Sequence, residues 1–196
     1  MDALIAYGSL IKQSELIQSE FPLDSTYPII VRGFKRMFSQ EPSWRSGQGE
    51  HRAVLNVLSS QQHWLNGLLI SGLDEDFFIE LDEREKGYNR IWVDPSYLHG
   101  YDSSYIVTGP QNIYIYTGKL DKQSGSILPN TLYLDACLEG ARQWGMGFYG
   151  DFLDSTFVKN NILLRTYVQQ MKLGSLGSKP LTDSPRSARI SSEQGS

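Results

Sequence analysis

The sequence Leu4-Ile5-Ala6-Tyr7-Gly8-Ser9-Leu10 begins with an apolar run and passes directly into a glycine–serine turn. The run is typical of a buried strand, and Ser14-Glu15-Leu16-Ile17 has the pattern of a helix start. Such a turn can direct several backbone N–H groups at one point, helped by the positive end of the following helix, and Gly8 lets a ligand approach closely. The segment is a candidate site for a carboxylate or an oxyanion, although an ordinary strand-ending turn is the simpler interpretation of these residues alone.

The rest of the chain mixes strand-like and helical segments in an irregular order. Strand patterns lie at residues 2–7, 28–34, 52–58, 64–70, 89–93, 104–108 and 112–120, and several follow one another without a helix between them. Helical patterns lie at 12–20, at 74–86 and through most of 131–170. Because the strands come early and in the middle and the helices close the chain, we expect an α+β fold with a small mixed β-barrel or a curved sheet and flanking helices.

Length and composition predict a single folded domain followed by a tail. The chain has 196 residues, of which 40% are hydrophobic, and this suits one domain with a buried core. Residues 172–196 are rich in serine, glycine and proline and contain no aromatic residue, a composition that cannot repay the entropy of ordering. The sequence therefore predicts a domain over 1–171 and a disordered tail over 172–196.

Charge, cysteine and histidine content argue against several classes of function. The formal net charge is −4 and no cluster of basic residues is present, so we expect neither nucleic acid nor a membrane as a partner. The first residues lack the basic region and long apolar run of a signal peptide, which favours a cytoplasmic protein. Cys137 is the single cysteine, and His51, His63 and His99 lie far apart, so we expect no metal and no other cofactor.

An acidic residue falls on the apolar face of the helix predicted over 74–86. Asp74 is a suitable N-cap for this helix, and at helical spacing Glu85 shares a face with Phe78 and Leu81. Loss of water and the negative end of the helix dipole would both raise the pKa of the Glu85 carboxyl toward neutrality. A carboxyl of that kind is suited to proton transfer at physiological pH.

Glu85 also has a purely structural interpretation. A salt bridge to Arg84 or Arg90 would hold the end of the helix and would require no catalytic role. Helical periodicity alone favours this structural reading and cannot decide between the two.

A second helix carries a stripe that is typical of a packing face. Tyr133 begins the stripe, and Cys137, Gly140 and Trp144 continue it at helical spacing. Gly140 predicts a close approach to a neighbouring element, because glycine is otherwise unfavourable inside a helix. Cys137 is interpreted as a small buried hydrophobic residue and not as a nucleophile.

Three short motifs occur in the order found in one known family. They are Tyr7-Gly8-Ser9-Leu10 at the end of the first strand, Leu81-Asp82-Glu83-Arg84-Glu85 in mid-chain, and Pro129-Asn130-Thr131-Leu132-Tyr133 opening a later helix. Together they resemble the motifs of the gamma-glutamylcyclotransferase family. Arg32-Gly33-Phe34-Lys35-Arg36 and Leu138-Glu139-Gly140-Ala141-Arg142 add to the similarity, which spans about residues 3 to 157.

The resemblance implies an activity and a set of site residues. It implies that backbone amides at Tyr7, Gly8, Ser9 and Leu10 bind a glutamyl group, that Glu85 is the acid/base, and that Tyr133 reaches the pocket. The implied substrate is a small gamma-glutamyl compound, which loses 5-oxoproline when its α-amine attacks its own γ-amide. Some family members have asparagine in place of Leu10, and others differ in the spacing between Glu85 and the following tyrosine.

Several alternatives stay open at this level. The substrate can be glutathione, a gamma-glutamyl amino acid or a gamma-glutamyl amine, and Arg32 or Arg52 can anchor its carboxylate. The same fold can also be a non-catalytic module that binds a small carboxylate, or a scaffold whose serine-rich tail docks a partner. The catalytic interpretation requires that Glu85 share a pocket with the Gly8-Ser9 backbone.

Overall fold

A computed structural model of the chain describes residues 1–42, 49–101 and 112–177. The strands are β1 Asp2–Ala6, β2 Thr26–Gln40, β3 His51–Leu73, β4 Tyr88–Trp92, β5 Leu98–Gly100, β6 Ile113–Gly118, β7 Leu128–Pro129, β8 Thr156–Val158 and β9 Ile162–Leu163. The helices are α1 Gln13–Gln18, α2 Glu75–Arg84, α3 Thr131–Gln143, α4 Met146–Ser155 and α5 Leu164–Gly177.

One mixed sheet contains all the described strands. Its order is β4-β6-β1-β3-β2-β8-β9, with β5 added to β2 and β7 added to β3. The inner strand β1 is antiparallel to β3 and parallel to β6. The α+β class is confirmed. The barrel is not, because in the described part of the chain β4 and β9 end the order without pairing with each other, and barrel closure needs paired edges.

The strand predicted over 28–34 is longer than expected and bends. Its pairing with β3 shifts between Arg32 and Phe34 and again between Phe38 and Gln40. Gly33 has a φ of +81° at the first shift, a conformation that glycine adopts readily. Between the two shifts, Phe34, Arg36 and Phe38 are the buried residues of an alternating pattern. The strand therefore sends one basic side chain into the core between two phenylalanines.

Two further strand predictions and one helix prediction need correction. Residues 52–58 and 64–70 belong to the single strand β3, which pairs with β2 on both sides of an irregularity: Ser59 is opposite Phe34 and Trp64 is opposite Arg32, so residues 60–63 lie in a bulge of β3. The helical stretch expected over most of 131–170 is interrupted at 156–163 by β8 and β9, since β8 pairs with β2. The strand expected at 104–108 lies outside the described residues.

The core lies between the sheet and the helices. Ala3, Leu4, Ile5 and Ala6 of β1 are almost wholly buried, and so is Cys137 of α3, as predicted. A Cβ added at Gly140 would lie 2.6 Å from the backbone nitrogen of Lys12, so α3 presses on the chain just after the first turn. The close contact predicted for this glycine is therefore present.

The last helix runs into the segment predicted as a tail. Helix α5 continues to Gly177, so the first residues of the predicted tail, 172–177, are helical. The remainder of that tail, 178–196, lies outside the described residues. None of the helices described is long and apolar enough to cross a membrane.

Candidate active site

A pocket opens at the end of β1. It is lined by all six residues predicted for the site, which are Tyr7, Gly8, Ser9, Leu10, Glu85 and Tyr133. Its other lining residues are Leu4, Ile5, Ala6, Pro42, Val54, Leu55, Leu81, Tyr88 and Tyr116. The fold therefore brings together three motifs that are far apart in sequence.

The turn after β1 is packed tightly against α3. A Cβ added at Gly8 would lie only 2.4 Å from the Tyr133 hydroxyl oxygen, so a larger residue has no room there. The φ of Gly8 is −116°, which lies outside the left-handed region, so the available space and not the backbone conformation requires glycine. The Ser9 backbone N–H donates a hydrogen bond to the Tyr133 hydroxyl. These contacts fix the tyrosine and the turn relative to each other.

The sequence around Tyr133 explains why it stands at the start of α3. Asn130 is the N-cap, and its side-chain oxygen accepts a hydrogen bond of 3.0 Å from the Tyr133 backbone N–H. Tyr133 therefore lies in the first turn, next to the pocket. Its ring also meets Phe38 of β2 edge to face, with centroids 6.2 Å apart.

One expectation about the turn is wrong. A short 3-10 turn, Ser9–Ile11, follows Gly8, and α1 begins only at Gln13. The positive end of a following α-helix therefore does not lie at Gly8 and Ser9. Among the described residues, the backbone N–H groups of Gly8 and Leu10 have no acceptor. Hydrogen-bond donors, and not a helix dipole, are what the turn offers a ligand.

Glu85 stands one residue beyond the last residue of α2. The helix begins as predicted, with the Asp74 side chain accepting a 2.9 Å hydrogen bond from the Phe77 backbone N–H. Glu85 is the C-cap, and its backbone N–H still donates to the Leu81 carbonyl at 2.8 Å. Its side chain is 21% exposed. The carboxyl group is therefore mostly withdrawn from water and lines the pocket.

Two opposing effects act on the Glu85 carboxyl group. Burial raises its pKa, and the guanidinium of Arg84, whose Nε lies 3.6 Å from Oε1, lowers it. Burial is the larger effect, so the pKa of Glu85 is raised overall. Arg90, the other arginine considered for a salt bridge, pairs with Glu75 and Asp82 instead.

Four tyrosines line the pocket together with the Glu85 carboxylate. Burial raises the pKa of Tyr7, Tyr88, Tyr116 and Tyr133, so all four are neutral hydroxyls at physiological pH. The negative charge of Glu85 raises the pKa of Tyr88 further. The Tyr88 hydroxyl donates to the Leu55 carbonyl at 2.9 Å, and the Tyr7 hydroxyl donates to the Tyr116 carbonyl at 2.6 Å.

Sequence reasoning did not select Tyr88 or Tyr116 as site residues. The sequence does contain an indication for Tyr88, because it is the tyrosine that follows the acidic motif ending at Glu85. It contains none for Tyr116, since that residue reaches the pocket only through the parallel pairing of β6 with β1.

The two arginines suggested as carboxylate anchors do not line the pocket. Arg32 is exposed, and Arg52 pairs with Glu41 at 3.0 Å. A different arginine lies directly behind the turn: Arg36 is completely buried and donates from Nη1 to the Tyr7 carbonyl at 3.3 Å. In the described part of the chain, no group of three or more histidine, cysteine or acidic residues could hold a metal ion.

In sequence comparisons, no protein-family model and no curated protein matches the chain. Among solved structures, the chain is similar to a gamma-glutamyl cyclotransferase with a TM-score of 0.56 and 16% identity, over 77% of this chain and 85% of that one. It is similar to an uncharacterised human protein with a TM-score of 0.56 and 17% identity, over the same shares of the two chains. The chain therefore has the fold of a gamma-glutamyl cyclotransferase.

Proposed function

We propose that this chain is a gamma-glutamylcyclotransferase that releases 5-oxoproline from a small gamma-glutamyl compound. The observation that carries the proposal is the shared pocket, in which the partly buried Glu85 carboxyl group meets the turn Tyr7–Leu10. The likeness of the fold to a gamma-glutamyl cyclotransferase supports it.

The reaction is intramolecular and needs one proton carrier. The Glu85 carboxylate removes a proton from the α-ammonium group of the substrate, and the amine nitrogen attacks the carbon of the γ-amide. The new C–N bond closes a five-membered lactam, while the bond to the leaving amine breaks. Two protons leave the attacking nitrogen, one before the attack and one as the C–N bond forms. Glu85 passes both in turn to the departing nitrogen, which leaves as an ammonium ion, so no water is consumed and the total charge is unchanged. A carboxyl group whose pKa is raised toward neutrality suits both steps.

The turn and Tyr133 have a binding role in this proposal. Because the Ser9 N–H already bonds to the Tyr133 hydroxyl, the N–H groups of Gly8 and Leu10 are the donors offered to the α-carboxylate of the substrate. Holding that carboxylate bends the glutamyl chain toward ring closure, and orientation of this kind contributes directly to rate. The turn therefore affects turnover as well as affinity.

The proposed partner is a small gamma-glutamyl molecule, and the proposed place of action is the cytoplasm. The reaction as written uses no cofactor, because the nucleophile belongs to the substrate. Nucleic acid and membranes are not proposed as partners, in keeping with the net charge of −4 and the lack of a basic cluster.

The test is release of 5-oxoproline from a panel of gamma-glutamyl amino acids, gamma-glutamyl amines and glutathione. We expect Glu85→Gln to lower kcat/KM by about 100-fold or more, because it keeps the shape and removes the proton acceptor. Glu83→Gln is the matched control. It makes the same chemical change at the same helix end, but at an exposed side chain that pairs with Lys86. Equal activity of the wild type and Glu85→Gln would remove Glu85 from catalysis.

A non-catalytic module that binds a small carboxylate is the second candidate. It is favoured by the ion pair between Glu85 and Arg84, which gives the acid a structural role at the end of α2. Binding of 5-oxoproline without turnover of any member of the panel would favour the module over the enzyme.

A further inference from the structure

Arg36 is a buried charge whose presence core packing does not explain. Its side chain is 0% exposed, and among the described residues no carboxylate pairs with it. Burying an unpaired charge is costly, and an apolar residue of similar volume is often equally stable or more stable at such a place. The chain nevertheless keeps a guanidinium directly behind the turn of the pocket.

The guanidinium donates hydrogen bonds to neutral acceptors on two sides. Away from the pocket, Nε donates to the Thr156 hydroxyl at 2.7 Å and Nη2 donates to the Ser155 hydroxyl at 2.9 Å. Asn66 accepts two further hydrogen bonds. Its backbone oxygen lies 2.6 Å from Nη1, and its side-chain oxygen lies 2.8 Å from Nη2. The guanidinium carbon lies 3.9 Å from the centre of the Phe152 ring. Burial lowers the pKa of Arg36 to about 9, so it keeps its charge at neutral pH.

On the pocket side, Arg36 acts on one peptide group. Nη1 donates to the Tyr7 carbonyl at 3.3 Å, and the Tyr7–Gly8 peptide is trans. In a trans peptide the C=O and the N–H point in opposite directions, so a carbonyl turned toward Arg36 leaves the Gly8 N–H turned away from it. Gly8 lines the pocket, and its N–H has no acceptor among the described residues. The positive charge of the guanidinium next to the carbonyl oxygen also polarises the peptide group and strengthens its N–H as a donor.

We propose that Arg36 is a positioning residue, which acts through the Tyr7–Gly8 peptide to aim and strengthen the Gly8 N–H for the α-carboxylate of the substrate. The inference rests on the proposed function of the turn, and it adds a residue that does not itself touch the substrate. It also accounts for the bend of β2, which sends this side chain inward next to the end of β1.

The test compares Arg36→Lys with Ser155→Ala. Lysine keeps the charge but lacks the fork that reaches the Tyr7 carbonyl and Asn66 together, so we expect kcat/KM to fall by at least about tenfold. Ser155→Ala removes a bond to the same guanidinium on the side away from the turn. We expect it to lower stability while kcat/KM stays within about twofold of the wild type. Equal losses of kcat/KM in the two variants would overturn the proposal.

A substrate analogue separates positioning from a general effect on the fold. In this analogue the α-carboxylate of the substrate is replaced by a primary amide. We expect Arg36→Lys to lose less than about threefold in kcat/KM with the analogue, against at least about tenfold with the carboxylate. An equal loss with both substrates would mean that Arg36 only stabilises the fold.

A measurement on the unaltered chain covers the case in which Arg36→Lys does not fold, or the wild type turns over no member of the panel. The ¹⁵N-labelled protein is titrated with 5-oxoproline and followed by NMR. We expect the Gly8 amide and the Arg36 Nε–H resonances to shift together, because the same guanidinium that carries the Nε–H donates through Nη1 to the carbonyl of the Tyr7–Gly8 peptide. An Arg36 resonance that stays fixed throughout the titration would overturn the proposal, independently of whether the chain is an enzyme.

Discussion

The two walls of the pocket are built in different ways. The binding wall, Tyr7–Leu10 with Tyr133, consists of backbone and buried groups, and its parts are fixed by a close glycine contact and by the bond from Ser9 to the tyrosine. The acid wall, Glu85 with Arg84, stands at a helix end, where the Glu85 side chain is 21% exposed and that of Arg84 is 44% exposed. One wall is held by packing and the other by solvent-accessible charges.

This difference separates the two tasks that the proposed reaction requires. Orientation of the substrate depends on atoms that must not move by much, and close-packed backbone provides that rigidity. Proton transfer depends on a pKa, which nearby charges can adjust without moving the backbone. Substitutions in the binding wall should therefore change geometry and activity strongly, and substitutions in the acid wall outside Glu85 should change the pH dependence with smaller effects.

Apart from the loss of Glu85 itself, the largest effect is expected at Gly8, in the binding wall. In Gly8→Ala the new methyl group would lie 2.4 Å from the Tyr133 hydroxyl, so the turn and the tyrosine must separate. We expect kcat/KM for release of 5-oxoproline to fall by about 100-fold, because a shift near 1 Å in a positioning group is that costly.

Two variants test the cause of that loss. In Gly8→Ala with Tyr133→Phe the clashing hydroxyl is gone, so part of the lost activity should return despite the loss of the bond to Ser9. Gly125→Ala is the control, since a Cβ there meets nothing within 4 Å. If the double variant is no more active than Gly8→Ala alone, the contact with the Tyr133 hydroxyl does not determine the geometry of the binding wall.

Much of this architecture could be predicted from local sequence. The run Leu4–Tyr7 is apolar without interruption, as expected of an inner strand, and β1 pairs on both sides. Asp74 and Asn130 are standard N-cap residues, and both cap their helices. The α+β class follows from such local signals, whereas the convergence of the three motifs on one pocket is implied by the resemblance to the gamma-glutamylcyclotransferase family.

The remainder depends on contacts between distant residues. Arg36 looks like an ordinary strand residue in sequence, and its burial follows from two bulges and from acceptors about 120 positions later. The open sheet and the short strands β8 and β9 depend on which edges find a partner. Hydrophobic periodicity and secondary-structure propensity are local properties, and they do not show which strand edges pair with each other.

A smaller effect is expected at Gly140, where α3 packs against the chain that follows the binding wall. In Gly140→Ala the added Cβ would lie 2.6 Å from the Lys12 nitrogen and 2.8 Å from its Cα, both backbone atoms. We expect a loss of about 1–3 kcal/mol in the free energy of unfolding, measured by urea denaturation, because α3 must retreat from the turn.

Gly147→Ala is the matched control for that substitution. Gly147 also lies in a helix, α4, but a Cβ there meets nothing within 4 Å. Alanine should stabilise this helix by up to about 1 kcal/mol through its higher helix propensity. If Gly140→Ala were also stabilising, propensity would outweigh packing and α3 would not press on the first turn.

The smallest effect is expected from Arg84→Gln, in the acid wall. The guanidinium favours the ionised form of Glu85 and lowers its pKa, so its removal should raise that pKa further above the ordinary value. Because the proposed base must be ionised, the acid limb of kcat/KM against pH should move to higher pH, with at most about a fivefold change at any one pH for so exposed a pair. Lys86→Gln makes the same change in charge at a side chain that pairs with Glu83, and it should leave the limb where it is. If the acid limb of the pH profile stays fixed or moves to lower pH in Arg84→Gln, the charge beside Glu85 does not govern its protonation. The proposed division of tasks between the binding wall and the acid wall is then wrong.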